Sequence, residues 1–267
     1  MIPLKDNIPT GRFPFVTAAL VAINFIVYLL AIRHGGSFIS GPSPAEEFKY
    51  GAIPYALIHP GVHCAGVVRQ TLLGPQSPQV LCNTALLNAN HIPAENLLPA
   101  WLTIFTGMFS HASILHIGGN MIFLWIFGRN VENALGPVKF IGFYVLGGIA
   151  ALALQVAVSP DSTAPTLGAS GAIAAVLGGY IVLFPRAKVL TVVFIILFFT
   201  VIELPAWVML GIWFAEQAVF GAAGLTSPGS GGGVAYFAHV GGFIFGLLSV
   251  RVLATRVRPS PPARPVY

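Results

Sequence analysis

The run FPFVTAALVAINFIVYLLAI, residues 13–32, is twenty consecutive residues without a charge. At about 1.5 Å of helical rise per residue, that is the length needed to cross a hydrocarbon layer roughly 30 Å thick. A cleaved signal peptide is the competing reading. The run is long for such a segment, and no small-residue cleavage site follows it cleanly. The rest of the chain points the same way. Of its 267 residues 56% are hydrophobic and 8% charged, with a mean hydropathy of +0.83, whereas roughly a quarter of an ordinary soluble domain is charged. Such an inventory cannot cover a water-exposed surface. It excludes a soluble cytosolic or secreted domain, and it excludes disorder, which needs low hydrophobicity and high charge. No basic cluster is dense enough to favour a nucleic-acid partner.

Four further apolar runs lie at about 113–128, 138–158, 168–184 and 234–254, each interrupted mainly by Gly, Ala and Ser, the residues that let membrane helices approach closely. Residues 33–112 are proline-rich, hold both cysteines and five of the seven histidines, and contain no run long enough to span, so they are read as a long structured extramembranous loop. The stretch 189–221 contains Glu203 and Pro205 and admits either one crossing preceded by an interfacial segment or two short crossings.

Charge placement decides between six helices and seven. With six, Lys5, Arg12, Arg129, Lys139, Arg186, Lys188, Arg251, Arg256, Arg258 and Arg264 share one side, and only Arg33, Lys49 and Arg69 face the other. Ten against three is the positive-inside bias; seven helices would turn the four C-terminal arginines outward. The expectation is an all-α membrane protein: a cytoplasmic N-terminus (1–12), a six-transmembrane-helix bundle (13–254) with a long first outward loop (33–112), and a basic, Pro-rich cytoplasmic tail (255–267). Both termini are then cytoplasmic, and the membrane is taken to be the plasma membrane. The net charge of +5 reads as a sidedness signal and not as the mark of an anionic partner.

Cys64 and Cys82 fall in the outward loop, where they form either a disulfide or two thiols. A zinc site from His59, His63, Cys64, Cys82 and His91 matches no standard ligand spacing.

Polar side chains inside a bilayer are costly, which makes them functional candidates. His116 and Asn120, four apart on one helical face, begin the second helix; Ser170 begins the fourth; His239 lies about five residues into the sixth. Those three helices all run from outside to inside, so the four groups share one depth just below the outer surface. A serine hydroxyl needs a base to become a nucleophile, and imidazole suits that work. Ser170 and His239 supply the pair. The Asn120 amide, the His116 ring and the Ser170 backbone N–H are suited to an oxyanion. Each residue also has a plain reading: Ser170 as small-residue packing surface, His239 as an interior histidine, and His116 with Asn120 as interhelical hydrogen bonders.

These motifs resemble the rhomboid family of intramembrane serine proteases. His116 and Asn120 match HxxxN; Gly128, Glu132 and Gly136 match GxxxExxxG; Gly168 and Ser170 match GxSG; Ala238, His239, Gly242 and Gly246 match AHxxGxxxG. The resemblance implies a six-helix bundle with Ser170 as nucleophile, His239 as general base, and oxyanion donors at His116, Asn120 and the Ser170 backbone. It implies structural roles for the motif glycines and Glu132, no cofactor or metal, and single-pass membrane proteins as substrates in the surrounding lipid bilayer. The chain departs from the family at Ala174, where members often carry an aromatic ring that stacks on the histidine. What orients His239 is then open, with Tyr236 and Phe237 as candidates. The competing functions are a non-catalytic relative that binds client helices and a transporter with a polar cavity at the same positions.

Overall fold

A computed structural model describes residues 1–67, 70–71, 74–75, 79–93, 98–195, 198–226 and 234–254. Arg69 and the tail 255–267 lie outside the described residues. The chain is mostly helical. Its principal helices are α1 (Phe15–Ala31), α2 (Ile114–Leu135), α3 (Pro137–Val158), α4 (Ser170–Leu183), α5 (Ala206–Thr226) and α6 (Tyr236–Leu253). Among the described residues, α3, most of α5, and α6 are each long and apolar enough to cross a membrane. Helix Ala100–Phe109 and α2 satisfy the same test only as a pair bent by 78°. That gives three spans, or four with the bent pair, where charge counting led to six. Helices α1 and α4, of 17 and 14 residues, are shorter. The reason is plain for α4: residues 172–180 are nine consecutive buried positions, so it is solvated by protein and its length is not set by the bilayer. Among the described residues, the segment expected as one outward loop also holds four short α-helices, of which Ala100–Thr106 belongs to the bent pair.

The chain divides into two compact units: Met1–Ile23 with Gly118–Leu154 and Ser170–Tyr267, and Asn24–Ile117 with Gln155–Ala169. In the second, Phe48, Ile53, Ala56 and Cys64 form a small core under Tyr55, Val80 and Cys82, and Cys64 is bonded to Cys82. Those sulfurs are therefore not available as zinc thiolates.

In the first unit, α4 is gripped by α3 and α6 through small residues. A Cβ on Gly242 would lie 2.1 Å from the Gly171 carbonyl oxygen, one on Gly246 2.0 Å from that of Ala175, and one on Gly178 2.1 Å from that of Phe243. Across the other seam a Cβ on Gly147 would meet the Ala175 methyl at 2.4 Å. Backbones this close exclude any side chain, which is the physical content of the glycines in AHxxGxxxG.

The GxxxExxxG motif is equally structural. Glu132 accepts hydrogen bonds from the backbone N–H groups of Val16 (3.0 Å) and Thr17 (2.7 Å) and from the Thr17 hydroxyl (2.7 Å). A carboxylate from α2 thus caps the orphan donors at the start of α1, where the helix dipole favours negative charge. Gly128 lets Thr17 approach, and Gly136, at φ +82°, ends α2 so that Pro137 can begin α3. Arg129 is held within the protein. It pairs at 2.5 Å with buried Asp6, which also accepts from Asn130 and, at 2.7 Å, from the Tyr180 hydroxyl.

Asp6 belongs to an element that the all-α reading did not contain. Strands β1 (Ile2–Asp6), β2 (Lys188–Ile195) and β3 (Phe198–Pro205) form an antiparallel sheet in the order β1-β2-β3. The ambiguous stretch thus resolves into a hairpin followed by one helix. KVLTVVFI and FFTVIELP are dense in β-branched and aromatic residues, which favour a strand over a helix.

Gly246→Ala should lower the thermal midpoint of the detergent-purified protein by several degrees, because overpacking costs about 1–3 kcal/mol. Gly211→Ala on α5, where a Cβ meets nothing within 4 Å, should leave the midpoint unchanged or raise it. Glu132→Ala should cost about 3 kcal/mol, since it leaves several donors without a charged acceptor; chemical denaturation measures the loss.

Candidate active site

Ser170 is the first residue of α4, and the chain leading to it is fixed within the second unit. Thr166 exchanges backbone hydrogen bonds with Ala52 (2.8 and 3.0 Å), Gly168 donates to the Gly107 carbonyl (2.9 Å), and Ala169 donates to His111 Nε2 (3.4 Å). Gly168 has φ +109°, a conformation that a side chain would strain. Ser170 follows this turn at a helix N-terminus, where backbone N–H groups lack intrahelical acceptors.

His239 lies in the first turn of α6. Its Nε2 is 2.8 Å from Ser170 Oγ, and its Nδ1 is 2.7 Å from Gln217 Oε1 on α5. An amide oxygen can only accept, so the Gln217 contact places the ring proton on Nδ1 and leaves the Nε2 lone pair facing the serine hydroxyl. That tautomer is the one able to take the Ser170 proton. Trp213 and Tyr236 flank the ring, with centroids 5.8 and 6.4 Å from it.

Ala174 is fully buried, and its methyl would lie 3.2 Å from a Cβ on Gly242. There is no room for a stacking ring at that position. Phe237 packs toward Gly221 on α5; Tyr236 is beside the histidine, and Gln217 Oε1 accepts from Nδ1. Gln217 was not among the residues singled out from the sequence. The available signal was a polar residue in an apolar helix, four positions after Trp213 and so on the same face. Glu216 is exposed, whereas Gln217 is half-buried.

His116 and Asn120 lie one turn apart on α2. The His116 ring accepts at Nδ1 from the Ala112 N–H (3.4 Å), which leaves Nε2 as its protonated nitrogen, and it meets the His111 ring edge-on at 5.1 Å. His111, also missed from sequence, is almost completely buried. The Asn120 Nδ2 atom is buried without an acceptor among the described residues. Among the described residues no three His, Cys, Asp or Glu side chains converge as metal ligands would.

Residues 99–256 match the Rhomboid domain. The chain belongs to the rhomboid family. It is 34% identical over 153 residues to Rhomboid protein 1, mitochondrial, of Saccharomyces cerevisiae, covering 55% of this chain and 40% of that one. To the human Presenilin-associated rhomboid-like protein, mitochondrial, it is 30% identical over 161 residues, 58% and 38% of the two chains. RHOMBOID-like protein 12, mitochondrial, of Arabidopsis thaliana is 36% identical over 101 residues, 32% and 30% of the two. The aligned region spans at most about two fifths of the length of these curated relatives. Their names place them in mitochondria, which does not fit the plasma membrane expected above. What carries over is a rhomboid membrane protein with several apolar helices.

Gln217 gives the candidate site a test specific to this chain. Gln217→Leu should slow fluorophosphonate labelling of Ser170 by at least about tenfold without lowering the thermal midpoint. Gln217→Glu should restore labelling and move its pH midpoint upward, because a carboxylate at Nδ1 favours the imidazolium, and the base then becomes free only at higher pH. Equal rates and equal midpoints in all three proteins would remove Gln217 from any role in orienting the ring.

Proposed function

We propose that this rhomboid is an intramembrane serine endopeptidase that cleaves transmembrane segments of membrane proteins through an acyl-enzyme. The observation that carries the reading is the 2.8 Å contact between Ser170 Oγ and His239 Nε2, with Nδ1 held by an acceptor. Ser170 Oγ attacks the scissile carbonyl carbon while His239 takes its proton at Nε2. The carbonyl π electrons move to oxygen, and the anion is met by the Ser170 N–H and, in the roles the family resemblance assigns, by Asn120 Nδ2 and His116 Nε2. Collapse breaks the C–N bond, and His239 returns the proton to the departing amine. Water then repeats the sequence on the ester, releasing the acid and restoring Ser170. The hydroxyl, imidazole and oxyanion donors supply all of this chemistry without a cofactor.

The partners are the bilayer and, following the resemblance, single-pass membrane proteins. In the same proposal both termini share the positively charged side of a six-helix bundle, and the site opens toward the other side. The buried Asn120 Nδ2, without an acceptor among the described residues, favours this reading over a non-catalytic binder, because a buried donor without an acceptor costs free energy that a developing oxyanion would recover.

The test is cleavage of a single-pass substrate in proteoliposomes. Ser170→Ala and His239→Ala should each abolish product, and Asn120→Ala should lower kcat by about 10²-fold, with a smaller effect on KM. Cleavage that persists in the serine and histidine variants would overturn the assignment.

A further inference from the structure

The hairpin between α4 and α5 carries a surface that the proposed reaction does not use. Residues 189–202 are fourteen consecutive uncharged positions, paired in register from Lys188 with Pro205 to Ile195 with Phe198. Strand β1 pairs with β2 as far as Val192, so among the described residues the distal half is a two-stranded ribbon. Phe194, Phe198 and Phe199 are 60%, 79% and 71% exposed. That matches side chains such as Leu248 on α6, at 75%. Phe198 and Phe199 are adjacent in a strand and point to opposite faces, so both faces of the ribbon are apolar. A ribbon of this kind is marginal in water and a template for aggregation. A docking partner would cover one face; a surrounding apolar medium covers both.

The base of the hairpin is polar and cationic. Lys188 pairs with Glu203 at 3.2 Å, and Asn7 accepts from the Lys188 backbone N–H at 2.8 Å. Lys5, Arg12 and Arg186 are exposed in the elements joined to this base, while Asp6 is buried. The ribbon also starts and ends on apolar helices: β2 begins at Lys188, soon after α4 ends at Leu183, and β3 runs into α5 without an intervening residue. Trp207, 58% exposed at that junction, is of the type that settles at a membrane–water boundary.

We infer that the β2–β3 ribbon lies in the headgroup and upper acyl region of the bilayer face at which α4 ends and α5 begins, with its phenylalanines in lipid and its basic base against anionic headgroups. Depth is limited by the backbone. Among the described residues β3 is the edge strand of its sheet, and the N–H and C=O groups on its outer side cannot enter the hydrocarbon centre but are satisfied where water and headgroups reach. Seven steps of about 3.3 Å make the ribbon roughly 23 Å long, far longer than the interfacial layer is deep, so it lies along the surface. It thereby ties the start of α5, the helix that carries Gln217, to the membrane face.

The experiment places an environment-sensitive NBD label at Phe198→Cys, and separately at Phe194→Cys, in the full chain; the native cysteines are bonded to each other and do not react. Each protein, its fold verified by thermal midpoint, is reconstituted at one copy per nanodisc of 3:1 phosphatidylcholine and phosphatidylglycerol. Both labels should emit in the blue-shifted range, resist aqueous iodide, and be quenched more by nitroxide near the glycerol than at the chain end; Asp161→Cys serves as the aqueous reference. Water-like emission from both labels overturns the inference. So does a blue shift that requires two copies per disc, which would assign the ribbon to a second copy of the chain.

Discussion

Ser170 and His239 are 69 residues apart and meet because two helix backbones touch. Gly242 and Gly246 of α6 rest against the carbonyls of Gly171 and Ala175 of α4 at a separation that admits no side chain. In a bilayer, apolar side chains gain nothing by leaving lipid for one another, so helix association rests on close packing. The same contact sets the reach between the first turns of α4 and α6. It also explains Ala174, since a larger residue there would push α6 away from the glycine seam.

A second constraint, made of polar bonds, holds α1, α2 and α4. Glu132 caps α1 from α2, and Asp6 gathers Arg129, Asn130 and Tyr180. Burying a carboxylate is costly unless its lone pairs are filled, and both are filled. Through Asp6 the N-terminal strand is fixed to α2 and α4, and through β2 it holds the hairpin. Packing thus secures the half of the unit that holds Ser170 and His239, and polar bonds secure the half that holds the sheet.

Much of the candidate site was legible because its residues are expensive where they stand. A serine, two histidines and an asparagine in apolar runs are conspicuous, and their order and spacing resemble one family. Gln217 was not legible by the same route. An amide next to Glu216 in a helix does not declare which of the two faces the protein, and only the rotation of α5 decides that. His111 was hidden among the loop histidines. The hairpin was missed because an uncharged run in a hydrophobic chain reads as helix when length and hydropathy are counted; β-branching was the overlooked signal.

The sequence by itself determined the apolar character of this protein, its resemblance to one family and the small-residue seams, because these follow from composition and local spacing. The tertiary structure decided which acceptor fixes the His239 tautomer, what the two motif carboxylate and glycine sets hold, and that β1 joins a hairpin nearly two hundred residues away. Those are contacts between elements distant in the chain, and they depend on helix rotation and strand register, which no local pattern of residues encodes.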